Sequence, residues 1–285
     1  MSLARHGEGP GDAVEALVSQ IHPVFMLPPL AASAFGAVLA GRVDGVLAVG
    51  HLFVVFCALY TAHVKDGYVD FYLRGEDDDH PLTARGCRVA LAGATAGFAL
   101  GTLALGVAVG PAAAALCLPG WVVGYLHAPQ LDTNPVTATF GYPSGIGFAL
   151  LGGHYVQSRA LSATVLAFAA VFVVILAGIK VVDDATDYAY DRSIDKRTVA
   201  VVLGRRRARQ VAYGLMAAGL VGVVALALVG VFPPASVGAV AVFGLVAVVA
   251  RRAGEDDRLA TMLLIRASYL FLATLVIAVW FRPLS

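Results

Sequence analysis

The stretch ATVLAFAAVFVVILAGIKVVDDATDYAYD, residues 163–191, decides the fold. Through Val182 it carries a single charged side chain, Lys180; beyond that point come Asp183, Asp184, Asp187 and Asp191. An apolar run of about 20 residues matches the hydrocarbon thickness of a bilayer when it forms one helix, and a helix satisfies its own backbone polar groups in lipid. The stretch therefore reads as a membrane span, about 161–182, that ends in an acidic segment. The same arrangement occurs upstream, where the apolar run 45–64 leads into Lys65-Asp66-Gly67-Tyr68-Val69-Asp70.

Seven more runs of this kind flank the two, at about 18–40, 88–109, 111–127, 145–158, 211–231, 235–250 and 260–280. Composition agrees: 59 % of the 285 residues are hydrophobic and 14 % charged, with mean hydropathy +0.80. Soluble domains carry roughly 25 % charged residues, so an ordinary soluble enzyme and a disordered chain are both excluded. A net charge of +1 leaves no basic excess for nucleic acid. Cys57, Cys87 and Cys117 lie far apart, form no disulfide or metal spacing, and read as small buried apolar side chains. Glu8, Asp12 and Glu15 precede the first run, which argues against a cleaved signal peptide.

Charge placement tests the count. With the N-terminus inside, nine spans put all of the 20 Lys and Arg on the inner side except Arg42, Arg159 and Arg282, as the positive-inside rule requires. The expectation is an all-α integral protein of the cell membrane with nine transmembrane helices. It forms one domain over residues 1–285, with its chemistry on the cytoplasmic side.

Carboxylates follow no such rule, yet of the 19 Asp and Glu only Asp44 falls outside. Two inner segments collect them: Asp66, Asp70, Glu76, Asp77, Asp78 and Asp79, then Asp183, Asp184, Asp187, Asp191 and Asp195. They follow spans two and six. The chain thus reads as two four-helix repeats, about 14–127 and 145–250, plus a ninth helix, with catalytic loops at about 65–86 and 183–208. Each cluster contains D-x-x-x-D, Asp66–Asp70 and Asp187–Asp191, whose members share a helix face; Asp184 extends the second.

Like charges so placed need a cation. Lys65, Lys180, Lys196 and Arg197 supply it in a static salt-bridge network, protons supply it in a transporter, and divalent metal supplies it in a phosphate site. Transporter sites lie near the bilayer midplane in broken helices, whereas these acids sit at span ends. Mg²⁺ is typically held by one or two carboxylates plus substrate phosphates, so facing acidic motifs with interspersed Lys and Arg favour a metal-bound diphosphate. Asp66-Gly67 begins like the D-G-x-x-A-R of alcohol phosphatidyl transfer but lacks its Ala-Arg.

These motifs resemble those of the UbiA superfamily of membrane-embedded polyprenyltransferases, whose members have nine transmembrane helices and Asp-rich motifs after helices two and six. The family's N-D-x-x-D-x-x-x-D, followed by R-P-L, corresponds to Asp66, Gly67, Asp70 and Arg74, then His80-Pro81-Leu82. Its D-x-x-D-x-x-x-D, followed by G-K-R-T and V-x-L-G, corresponds to Asp184, Asp187 and Asp191, then Asp195-Lys196-Arg197-Thr198 and Val201-Val202-Leu203-Gly204. The likeness covers nearly the whole chain. Asp66 stands for the usual Asn, Gly67 for the first Asp and Arg74 for the third. His80 and His22 stand for arginines and Asp195 for glycine, which implies a first metal site built differently, with Glu76, Asp77 or Asp78 to draw on. Phe140–Gly145 and His154–Gln157 are most similar to the branch that prenylates dihydroxynaphthoate for menaquinone.

The resemblance implies transfer of a polyprenyl group from an allylic diphosphate to a hydrophobic acceptor, foremost an aromatic quinone precursor. Glycerol-phosphate lipids and carotenoids are alternative acceptors, and a cation- or proton-coupled transporter is the alternative without catalysis. It implies two Mg²⁺ ions, one on Asp66 and Asp70 and one on Asp184, Asp187 and Asp191, gripping the diphosphate. Lys196, Arg197, Arg85 and Arg74 would offset its charge, and Tyr68 and His22 would line the substrate site, while the bilayer delivers the prenyl tail. Arg205-Arg206-Arg207 reads as an anchor to anionic lipid, and Asp132 has no assigned role.

Overall fold

The computed structural model describes residues 2–252 and 256–281; Arg282 lies outside the described residues. Helices α1 (Pro10–Val18), α2 (Pro23–Leu39), α3 (Gly45–Tyr68), α4 (Ala84–Val109), α5 (Pro111–Leu126), α6 (Pro135–Ser158) and α7 (Ala163–Asp184) come first. Short α8 (Tyr188–Ser193) and α9 (Val199–Leu203) precede α10 (Arg205–Leu228), α11 (Val237–Arg252) and α12 (Asp257–Phe281). The only extended pairing among the described residues is an isolated bridge between Ala4 and Leu82.

Local chemistry sets the ends. Pro10, Pro23, Pro111 and Pro135 open their helices, where a missing N–H costs nothing. The side chains of Asp44, Thr83, Asn134 and Ser162 accept first-turn amides of α3, α4, α6 and α7. Seven helices are long and apolar enough to cross a membrane, and α1 with α2 makes an eighth if that pair, bent by 64°, is one span. The remaining expected span, α6, is 24 residues long but diluted by Gly, Thr, Tyr and His. It begins at Pro135 rather than near 145, because Asn134 caps it there.

Helix α2 packs on α6, α3 on α4 and α5, α7 on α10, and α11 on α12. A Cβ on Gly36 would run into the Leu150 carbonyl, and one on Gly153 into the Ser33 backbone; small residues bring helices this close in lipid. The larger core joins Phe35, Phe168, Phe172, Phe232, Phe243 and Phe271, with Phe168 and Phe232 stacked at 3.8 Å. All three cysteines are buried and free, as expected.

Two expectations about helix ends need correction. Helix α3 does not stop at residue 64: it runs to Tyr68 and widens into a π-helical segment, Val69–Arg74, that Gly75 ends at φ 63°. Asp66 and Asp70 thus stand on helix, not in a loop. Asp184 closes α7, whereas Asp191 belongs to α8 and Asp187 caps it, so a turn separates Asp184 from the face it was expected to extend. The basic triplet also divides: Arg205 is an ion-pair partner of buried Asp257 at 2.7 Å, shared with Arg209 at 2.6 Å.

Candidate functional site

A cavity of about 630 Å³ opens between the ends of α2, α3 and α7 and continues among α3, α5 and α6. Its polar lining includes Asp66, Asp70, Asp77, Asp79, Lys180 and Asp183; Val54, Phe98, Ile146 and Leu176 line its apolar part. Val54 and Asp66 lie twelve residues apart on one helix, so the lining runs about 18 Å along α3. The carboxylates come from helix ends and from the loop after α3, and the apolar side chains from helix interiors.

The first motif is brought to this cavity. Asp66 and Asp70 both line it, and the Asp70 carboxylate accepts from Arg74 Nη1 at 3.5 Å. Arg74 turns its Nη2 to Asp132 at 2.6 Å and is not among the lining residues. His22 caps α2 at the bend and lines the cavity with His63, the two rings 4.8 Å apart. Tyr68 points elsewhere: its ring lies tilted against Tyr72, centroids 5.2 Å apart, in the cluster that holds Ala4 and Leu82. Arg85 is exposed at the start of α4 and stands outside the lining.

The second motif lies behind the lining. Asp184 is 4 % exposed and accepts from Lys180 Nζ at 2.5 Å; Lys180 also reaches Asp183 at 3.3 Å and is itself in the cavity wall. Asp191 is 2 % exposed, with Lys196 Nζ 3.3 Å from its Oδ1. Burial raises the Asp191 carboxyl above the ordinary carboxylate range despite the opposing pull of Lys196. Burial also works against the Lys196 ammonium, but Asp191 outweighs it and raises that group. Glu76 is raised as well, by burial first, against the nearby Lys196 and Arg74. Asp187 and Arg197 are exposed.

Several site residues were not legible in advance. Asp132 is 6 % exposed and exists there as the partner of Arg74; its sequence signal was only that of a lone carboxylate between two spans. His80 is buried with Nε2 unpartnered, facing Gly67, whose missing side chain leaves room for the ring. Loop 75–83 is tied from outside, since Arg5 N–H donates to Pro81, Thr83 N–H to Leu3, and His6 pairs with Asp79 at 2.8 Å.

Among the described residues no group of three or more His, Cys, Asp or Glu is disposed as a metal cluster. The donor chemistry nevertheless fits Mg²⁺, which favours oxygen and takes few protein ligands beside phosphate. Asp184 Oδ2 is buried without a partner, and Asp191 Oδ1 faces Lys196 without hydrogen-bond geometry. Buried carboxylate oxygens left in this state are ready to accept a cation.

Fold and site define a multi-pass membrane protein that sets acidic helix ends at the mouth of a long apolar cavity. The chain belongs to the UbiA prenyltransferase family, which it matches over residues 26–275. It is similar in fold to a digeranylgeranylglyceryl phosphate synthase structure, at TM-score 0.75 and 14 % identity over 94 % of this chain and 99 % of that one. It is also similar to an apo UbiA homologue from Aeropyrum pernix K1, at TM-score 0.71 and 15 % identity over 90 % of this chain and 98 % of that one. A UbiA homologue from Archaeoglobus fulgidus bound to DMAPP and Mg²⁺ matches at TM-score 0.68 and 18 % identity, over 93 % and 99 %. No curated protein sequence matches.

Proposed function

We propose that this chain transfers a polyprenyl group from an allylic diphosphate to an aromatic quinone precursor at the cytoplasmic face of the cell membrane. The observation that carries this is the cavity itself, with carboxylates and Lys180 at its mouth and an apolar lining behind. A diphosphate suits the first and an isoprenoid tail the second. The Archaeoglobus fulgidus homologues bound to DMAPP or GPP with Mg²⁺ support the donor class.

Asp66 and Asp70 of the first motif and Asp184, Asp187 and Asp191 of the second are the residues that would hold Mg²⁺. The ion, when bound, supplies electrophilic stabilisation of the departing diphosphate. Lys180 supplies charge at the cavity wall, and Lys196 keeps Asp191 in place. As the C–O bond breaks, its electron pair leaves with the diphosphate. Phe25 and Tyr142, which line the same cavity, attract the allylic cation. The acceptor ring forms the new C–C bond to it and gives up its displaced proton at the polar cavity mouth. The apolar lining keeps water from capturing the cation.

The lining also bears on the acceptor. Among the described residues Lys180 is its single Lys or Arg, and that ammonium already serves Asp183 and Asp184. An acceptor carrying its own phosphate would need further cations, whereas an aromatic ring finds His22, His63 and Phe25. Nine transmembrane helices in two repeats remain our reading of the architecture; α6, lying between two spans, supplies the ninth. The test supplies purified chain with a prenyl diphosphate and, in separate reactions, a dihydroxynaphthoate and a glycerol-phosphate lipid. Prenylation of the naphthoate alone is expected. Prenylation of the glycerol-phosphate lipid alone would overturn the acceptor assignment.

A further inference from the structure

Arg74 is held on two sides. Its Nη1 lies 3.5 Å from Asp70 Oδ1 and its Nη2 2.6 Å from Asp132 Oδ2, and all three side chains are largely buried. A guanidinium keeps its charge at every accessible pH and presents its donors in a rigid fork, so this is a fixed positive charge on the first acidic motif. Asp132 comes from the segment between α5 and α6, far from either acidic cluster in sequence. Burying a carboxylate there is costly unless it is paired, and its described partner is Arg74. Lys196 lies close enough to act on Asp70, Glu76 and Asp132 as well.

A divalent ion on Asp70 would therefore have to displace an anchored guanidinium or sit beside it, with one carboxylate oxygen left to bind. Behind the lining, Asp184 Oδ2 and Asp191 Oδ1 of the second motif are buried without hydrogen bonds among the described residues, beside Lys180 and Lys196. On the first side the oxygen in that state is Asp132 Oδ1, whose carboxylate lies outside the motif and is already taken by Arg74. The two sides are unequal. We infer that Arg74, anchored by Asp132, takes the place of one metal ion in this chain, so that a single divalent ion accompanies each donor diphosphate. This inference rests on the function proposed above and specifies how its site is charged.

The experiment counts metal without turnover. Full-length protein in detergent is titrated with Mn²⁺ in the presence of saturating prenyl methylenediphosphonate, an unreactive donor analogue, and free Mn²⁺ is read by electron paramagnetic resonance. One Mn²⁺ per wild-type chain is expected, and two per chain in Arg74→Asp, with folding checked by its thermal transition. Two ions in the wild type would overturn the inference and leave the proposed function standing. One ion in a folded Arg74→Asp would overturn the role of Arg74. No Mn²⁺ bound with the analogue would remove both readings. The wild-type count decides the matter even where the variant fails to fold.

Discussion

Asp70 and Asp191 occupy corresponding places in the two motifs but different surroundings: one lines the cavity beside Arg74, the other is buried beside Lys196. Replacing either by Ala removes a carboxylate from the proposed diphosphate site; Arg74 would keep Asp132, whereas Lys196 would lose its ion-pair partner. Transition-state stabilisation of several kcal/mol is at stake, so turnover should fall by about 1,000-fold in each variant while helical circular dichroism is retained. Near-normal rates in either would make these acids structural. The shared helix face of Asp66 and Asp70 at the cavity was legible, because like charges at helical spacing at the end of an apolar span are costly until a cation meets them; the turn that separates Asp184 from Asp187 and Asp191 was not. Asp132 and His80 were not, because each acquires its role from a residue distant in sequence or fold: Arg74 for the first, Gly67 for the second. Tyr68 was assigned for its aromatic face and Arg85 for its charge, yet Tyr68 packs away from the cavity, Arg85 stands exposed at the start of α4, and the lining contains neither.

Most helices were legible as apolar runs of the right length, and those limits agree to within a few residues for α4, α5, α7 and α12. The exceptions have physical causes. Helix α6 starts early because the cap at Asn134 and Pro135 at the first position outweigh the polar composition that follows. Helix α3 overruns with Lys65 set over the Tyr125 ring and Asp70 paired with Arg74, partners that hydropathy does not register. Close approach of α2 and α6 depends on Gly36 and Gly153, each facing the other helix's backbone. Gly36→Ala and Gly153→Ala should each destabilise the chain by about 1–3 kcal/mol through overpacking, seen as a lower Tm in detergent. Gly93→Ala serves as the control, because nothing lies within 4 Å of the added Cβ. Equal Tm values for all three would mean that α2 and α6 do not pack in this way.

The site's charge should also be visible in the stability of the whole chain. Asp191 and Glu76 hold their protons above the ordinary carboxylate range, about pH 4. Between that range and their raised values the folded chain binds more protons than the unfolded one. Their contribution to stability therefore falls as pH rises through this window in metal-free protein. Asp191→Asn removes one of these groups, so its Tm in chelator should decline less with rising pH than that of the wild type. Equal slopes would show that Asp191 is not burdened by its burial. Mg²⁺ needs the ionised form, so its affinity should weaken as pH falls through the same window.

Catalysis itself is tested most directly by following diphosphate release and prenylated product together in purified, reconstituted protein. The reaction contains a prenyl diphosphate and an aromatic acceptor, with Mg²⁺ or with excess EDTA. Equimolar product and diphosphate in Mg²⁺, with neither in EDTA, is the predicted result; prenyl transfer at full rate in excess EDTA would contradict it.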